Sequence, residues 1–295
     1  MSNLKVIKTR IQSIESTKKI TAAMKLVSSS YFKKAEHATQ NALPFVRETT
    51  RILKTILHNK EVKTFPLVRG GKSTHHVLVV VSGNRGLCGG FNVNIGRTAN
   101  AEIARLQKEG KTVSLMCFGE KALSGLHPQN RELVEQHIVP EEKVPWVYAS
   151  TIVDHIIKKV HKEEVGTASI VYTAFQSMLV STIKAHSLIP FEDCLLENNK
   201  NFKEKEAFTP PLLFGVEPSY LSLVKKASEN HLKSQLYFAM LESRASEESA
   251  RMIAMDGATK SSEDMLAKLY VTYNRNRQAA ITSELIEIIS GAESV

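Results

Sequence analysis

Residues 77–92 read VLVVVSGNRGLCGGFN, an apolar run that passes directly into a turn holding Gly83, Gly86, Gly89 and Gly90, with Arg85 among them. A strand that ends in such a turn and opens a helix is how many folds cradle a phosphate. The absent side chains let backbone N–H groups approach the anion, and the helix N-terminus favours its charge. The dinucleotide version needs G-x-G-x-x-G and an acidic residue about 20 positions on. Here the glycine spacing differs, and the acidic residue after the second apolar run, Glu120, comes about 30 positions past the turn. The G-x-x-x-x-G-K-[ST] pattern has one partial counterpart at Gly71-Lys72-Ser73, but its first glycine would fall on Pro66, and the segment precedes the apolar run. The turn therefore reads as a tight corner that needs positive φ and close packing. A nucleotide-binding regulatory protein using this region is the alternative. Arg85 suits an anion, a surface or an interface.

Other chemistry-bearing residues do not assemble into a catalytic pattern. The ten histidines are dispersed, and His75-His76 and His155/His161 have no carboxylate or cysteine at a useful spacing. Neither G-x-S-x-G nor H-E-x-x-H occurs, so no nucleophile with a base is expected. Cys88, Cys117 and Cys194 form neither a disulfide framework nor a zinc-ligand set, and read as reduced, mostly buried small apolar residues. No catalytic residue, metal or cofactor is assigned.

Composition narrows the partner classes. Hydrophobic residues at 42% and charged ones at 23% describe a folded globular chain rather than a disordered one. The formal charge of +9 sits at one end: residues 1–75 carry 15 Lys/Arg against 4 Asp/Glu, while residues 76–200 balance at 13 of each. Such an arm suits nucleic acid, a lipid surface or an acidic protein, and charge alone does not choose. Few aromatics flank the lysines and no base-reading module is present, which argues against nucleic acid. No window approaches 18 consecutive apolar residues, and the start lacks the pattern of a secretory or transit segment, so the chain is expected to stay where it is made.

The elements that would position these residues have a clear order. Residues 1–69 lack glycine and have their first proline at Pro44, which allows one long helix, with a kink permitted at Pro44. Leu4, Ile7, Ile11 and Ile14 form an apolar stripe, which Ile20, Met24, Val27 and Tyr31 resume after a shift of phase. Ser219 to Ser290 has no proline and a single glycine, Gly257, with Pro218 placed at a first helical position. Such a helix would be on the order of 100 Å long at about 1.5 Å per residue. Its stripe of Leu266, Leu269 and Tyr273 is broken by NRNRQ (274–278) and restored by Ile281, Leu285 and Ile288. Two such helices from opposite ends pair most simply as an antiparallel coiled coil. Between them, strand-like runs at 76–82, 112–119 and 168–175 alternate with helical patterns at 92–109 and 146–163, which implies parallel strands. A run at 179–191 is suited to antiparallel pairing, and 198–211 reads as a linker.

The termini carry a resemblance. IKTRIQSIESTKKITAAMKLVSSS (7–30) and YNRNRQAAITSELIEIISGA (273–292) are similar to the signature ends of the gamma subunit of F-type ATP synthase, SGNRGLCGGFN (82–92) resembles its glycine turn, and FGVEPS (214–219) resembles the entry to its last helix. The resemblance implies an α/β protein: a long antiparallel coiled coil of the N- and C-terminal helices, residues 1–75 and 212–295, with an inserted domain of Rossmann-like topology, residues 76–211, not thought to bind nucleotide. It implies a non-catalytic rotor that carries torque between an ion-driven membrane ring and the catalytic sites of the alpha and beta subunits. The epsilon subunit and the c-ring would hold its foot, peripherally on the cytoplasmic face of a bacterial inner membrane.

By the same resemblance Arg277, Gln278 and Thr282 correspond to residues that hydrogen-bond a beta-subunit loop. Pairing of the ends would bring Met24 and Lys25 near their level, with Met24 equally readable as core. Lys18, Lys19, Lys33 and Lys34 are either solvated or turned toward acidic loops of the ring. Glu217 matches a position near the foot and is equally explained as a cap before Pro218. Asn84 stands where the family often has aspartate, and Ser261 and Ser262 where asparagine and alanine are usual. Gly257 is expected to allow close approach of the first helix, so that Gly257→Ala would destabilise.

Overall fold

The computed structural model describes residues 2–56, 65–140, 144–191 and 219–293. The expected linker 198–211, Cys194 and Pro218 lie outside them. Two compact units are formed, one from residues 1–30 with 251–295 and the other from residues 31–250. The long helices α1 (Ser2–Ile56) and α7 (Tyr220–Glu293) contribute to both. Among the described residues, no helix is long and apolar enough to cross a membrane.

The larger unit is built on five strands, β1 (His75–Val81), β2 (Thr112–Phe118), β3 (Val134–Ile138), β4 (Thr167–Phe175) and β5 (Ser181–Ile189), in the order β3-β2-β1-β4-β5. β1 pairs parallel with β2 and β4, β2 pairs parallel with β3, and β5 is antiparallel to β4. The three β-branched-rich runs are thus the central parallel strands. β3, with the sequence VEQHI, gives no such signal because it is a short, half-exposed partner of β2. β1 is buried on both faces: Val77, Val79 and Val81 enter one core with Met116, Phe118 and Ile170, while Leu78 and Val80 enter the other with Leu115, Cys117 and Val171. This two-sided burial explains why its sequence is continuously apolar instead of alternating. Each such side chain contributes roughly 1.5–3 kcal/mol by leaving water.

Helices cover both faces. α3 (Phe91–Lys108) buries Ile95, Ala99, Ile103 and Leu106 on the second core, joined by α4 (Glu120–Gly125), and α5 (Pro128–Arg131) follows. α6 (Trp146–His161) buries Ile152, Val153, Ile156 and Val160 on the first, together with α2 (Pro66–Arg69), Leu53 of α1 and Leu236 of α7. Trp146 meets Phe45 and Tyr237 edge-on, with ring centroids 5.9 and 5.4 Å apart, so α1, α6 and α7 share one aromatic seam. Cys88 and Cys117 are buried thiols outside any disulfide, and burial pushes the Cys117 thiol up to about 12, which leaves it unreactive.

The smaller unit is an antiparallel pair of helical segments. Four cross-contacts fix its register: Thr21 with Thr259 at 2.9 Å, Lys25 with Asp256 at 2.6 Å, Lys18 with Glu263 at 3.0 Å and Glu15 with Tyr270 at 2.6 Å. The buried seam differs from the expected apolar stripe. Ile20 and Val27 are exposed, at 59% and 54%, whereas Thr21 and Ser28 are buried. Hydroxyl residues occupy inward positions because their oxygens bond within or across the helices, as Thr21 bonds both Lys18 O and Thr259, and because small side chains allow close approach. α1 stays helical through Pro44, burying Phe32, Ala35 and Thr39 before it and Val46, Thr49 and Leu53 after it. Gly257 also departs from expectation. Among the described residues nothing outside its own helix lies within 4 Å of where its Cβ would be, so it serves no close contact with α1.

Two outcomes follow from the buried histidines and from Gly257. His76 bonds Thr167 and Ser169 at 2.6 and 2.8 Å, and burial, helped by Lys111, lowers its pKa to about 4. His231, edge-on to Phe191, is lowered to about 3 by burial and by His186. Both must charge on unfolding below about pH 6.5, so the unfolded chain binds more protons and stability falls as pH drops from about 6.5 toward 4, at roughly 1.4 kcal/mol per pH unit for each histidine. Glu242, raised to about 7 by burial, runs the opposite way in the same window. His76→Gln should therefore flatten the acid side of the urea-midpoint profile relative to the parent chain. Gly257→Ala should raise stability by about 1 kcal/mol, seen as a higher melting temperature, since a helix-interior glycine is replaced in open space.

Candidate functional site

The glycine turn joins Val81 to the start of α3, and several of its polar groups bond to the chain itself. Ser82 N donates to Phe118 O at 2.9 Å, Gly83 N donates to Asn92 Oδ1 at 3.0 Å, and Lys121 N donates to Gly83 O at 3.0 Å. Asn92 Nδ2 reaches back to Arg85 O and Cys88 Sγ, both at 3.2 Å. Asn84 Oδ1 accepts from Glu120 N at 3.1 Å while its Nδ2 donates to Pro140 O. An aspartate there could make the first bond but not the second, which gives Asn84 a local reason. Positive φ occurs at Leu87 and Gly89, at 61° and 58°, so the turn is a left-handed corner in part as expected, although one such position carries leucine.

The carboxyl ends of β1 and β2, beside the switch point between β1 and β4 at which an open α/β sheet of this order binds a ligand, are covered by α7. A Cβ on Gly83 would come within 2.7 Å of Glu247 Cδ and Oε1. The cavity left between Ser82, Asn84, Phe118, Ser243, Arg244 and Glu247 is about 10 Å³, near the size of a single water. A carboxylate thus stands where a phosphate would, and like charges exclude each other. This geometry does not favour the nucleotide-binding alternative.

The residues singled out near the termini do not form one cluster. Lys25 is half-buried and bonded to Asp256, which also pairs with Lys260 at 2.8 Å; hydrogen bonds from those two lysines hold the Asp256 carboxyl down to about 2. Met24 is half-buried beside it. The antiparallel register sets Arg277 level with the first turns of α1, 21 residues along α7 from Asp256, or about 30 Å at about 1.5 Å per residue. Met24 and Lys25 are therefore not at the level of Arg277, contrary to expectation, because antiparallel pairing places residue 25 opposite residue 256. Arg277, Gln278 and Thr282 are exposed on α7, and Thr282 Oγ1 donates to Gln278 O at 3.0 Å. Glu217 lies outside the described residues. Lys18 is held by Glu263, and Lys34 lies 5.7 Å from the centre of the Tyr31 ring.

Beyond this level α7 changes character. Ile281, Leu285, Ile286, Ile288 and Ile289 are exposed at 49%, 54%, 58%, 68% and 58%, so the apolar stripe expected to resume there stays largely open to solvent. A helix that keeps this many exposed aliphatic residues is shaped for burial in a partner. Sequence reading singled out none of Arg244, Glu247 and Glu248. The available signal was the run of small residues around them, RASEESA, in a helix that must lie close to the sheet.

Comparison with known proteins follows this geometry. A sequence profile of the family described as ATP synthase matches residues 3–295. The chain is 36% identical to the ATP synthase gamma chain of Rhodospirillum rubrum and 37% identical to that of Granulibacter bethesdensis, in both cases over 100% of each chain. Among solved structures it resembles a chain in the central stalk and c-ring of the Tetrahymena thermophila mitochondrial ATP synthase, at 27% identity, a TM-score of 0.61 and coverage of 81% of this chain and 99% of that one. It shares the fold of a chain in the rotor of the Euglena gracilis enzyme, at 17% identity, a TM-score of 0.64 and coverage of 95% and 99%.

If the crevice excludes phosphate, Mg-ATP at a concentration 100 times a micromolar Kd should leave the melting temperature of the chain unchanged. A genuine site of that affinity would add about 2.7 kcal/mol.

Proposed function

Because this chain belongs to the gamma chain family of ATP synthase, we propose that it is the rotor shaft of such a complex, carrying torque between an ion-driven membrane ring and a catalytic ring of alpha and beta subunits. The observation that carries this reading is the exposed end of α7, where Arg277, Gln278 and the aliphatic residues from Ile281 to Ile289 stand open to solvent. In the proposed complex this end turns inside the collar of alpha and beta subunits. Arg277 and Gln278 reach a beta-subunit loop there, the arginine through a charge-assisted, bidentate contact with a carboxylate.

The division of labour follows from stiffness. Residues 1–75 and 212–295 form the shaft, and residues 76–211 form the inserted body; the foot, to which Glu217 is assigned by its match to the family, meets the epsilon subunit and the c-ring. The paired helices resist bending and twisting because each cross-contact, such as Lys18 with Glu263, would have to break for one helix to slide past the other. Chemistry belongs to the beta-subunit sites, whose affinities this asymmetric surface changes as it turns. The chain itself is non-catalytic and sits peripherally on the cytoplasmic face of a bacterial inner membrane.

Arg277→Ala with Gln278→Ala should lower ATPase activity of the complex reassembled with alpha and beta subunits by about tenfold, which corresponds to about 1.4 kcal/mol. The helicity and melting temperature of the isolated chain should not change, because both side chains are exposed. Undiminished activity would remove the contact assignment, and ATP turnover by the chain alone would overturn the subunit reading.

A further inference from the structure

Residues 243–249 of α7 read SRASEES, and every one of them except Arg244 is buried. A helical turn this polar normally faces water. Here it is enclosed, and its side chains bond in several directions. Arg244 pairs with Glu247 and with Glu248, each at 3.0 Å. Ser246 donates to Thr173 O at 3.4 Å and Ser249 donates to Met178 O at 2.5 Å, both on or just after β4. Ala245 packs with Phe32, Ala35 and Phe175. On the side of the glycine turn, Glu247 fills the space that a Cβ on Gly83 would need.

We propose that Glu247, held by Arg244 within α7 and flanked by Ser246 and Ser249, is a key seated against the glycine turn at the carboxyl end of β1, which locks the rotational setting of α7 against the sheet. The physical reason is directionality. Apolar contacts are nearly indifferent to a small rotation of a helix about its axis. Hydrogen bonds from the helix to its neighbours and a seated side chain are not, because rotation would break the bonds from Ser246 to Thr173 O and from Ser249 to Met178 O and draw Glu247 out of the space that Gly83 leaves. Gly83 is glycine so that the key fits: the turn that resembles a phosphate cradle is the socket for a side chain of the same protein. The lock is a property of the chain alone, while its use, making the sheet and α7 turn as one body under torque, rests on the rotor reading.

The test separates the two. Spin labels are placed on the full chain through Val93→Cys on α3 and Lys226→Cys on α7, both at exposed positions, with Cys194→Ser to remove a competing thiol. The distance between them is measured by pulsed electron paramagnetic resonance. The otherwise unchanged chain should give one narrow distribution, and Glu247→Ala should broaden it about twofold or split it, with helicity retained. Should Glu247→Ala not fold, Gly83→Ala, which displaces the Glu247 side chain, and Ser246→Ala, which removes the bond to Thr173 O, should each broaden it. Ile156→Val, a core change on α6 away from the crevice, should keep the narrow distribution while lowering the melting temperature. Narrow distributions in all the key and socket variants, or equal broadening in Ile156→Val, would overturn the lock. Broadening together with normal coupled ATPase activity in the reassembled complex would leave the lock standing and count against its use in rotation.

Discussion

Hydroxyl-to-hydroxyl contacts between the two longest helices, Thr21 with Thr259 and Thr49 with Ser234, each at 2.9 Å, express the constraint on which the remaining structure depends. α1 and α7 run antiparallel, and close enough that many facing positions hold threonine, serine or alanine. Such a seam gains less from apolar burial than a leucine-rich one, since a buried hydroxyl must find a partner to offset its desolvation. It gains register instead. A hydroxyl pair, or a pair such as Lys25 with Asp256, exists at one longitudinal setting only, and a shaft needs a fixed setting more than maximal stability.

The same principle governs the sheet. β1 is gripped on both faces by apolar packing and at its start by two histidines. His75 bonds Thr112 and Ser114 of β2, and His76 bonds Thr167 and Ser169 of β4, at distances from 2.6 to 3.0 Å. Neighbouring strands are thereby tied by directional bonds at one end. At the other end Asn84 and Asn92 tie the glycine turn, and α7 closes the crevice. An α/β fold with the topology of a ligand-binding protein is in this way made into a solid body, its ligand position taken by a side chain of its own.

Much of this was legible because periodicity is a local property. The long helices, the parallel central strands and the antiparallel β5 could be read from the spacing of apolar residues and from the positions of glycine and proline. β3 was not, because a short strand at the sheet margin carries too little apolar pattern. Ile20 and Val27 were misread as seam because hydrophobicity was taken as the mark of an inward face, whereas the seam selects for size. Gly257 was misread for a related reason: a glycine in a long helix marks a close approach only if something approaches.

By itself, the sequence determined what depends on neighbours along the chain: which segments are helix or strand, where the basic charge lies, that no familiar catalytic constellation is present, and through its ends which family it resembles. The tertiary structure alone decided which distant residues meet. Antiparallel pairing set Lys25 opposite Asp256 and separated it from Arg277, and packing of α7 on the sheet buried Glu247 and Glu248, charges that any reading of composition would leave in water. Burial and partnership are sums over residues far apart in sequence, and no window along the chain contains them.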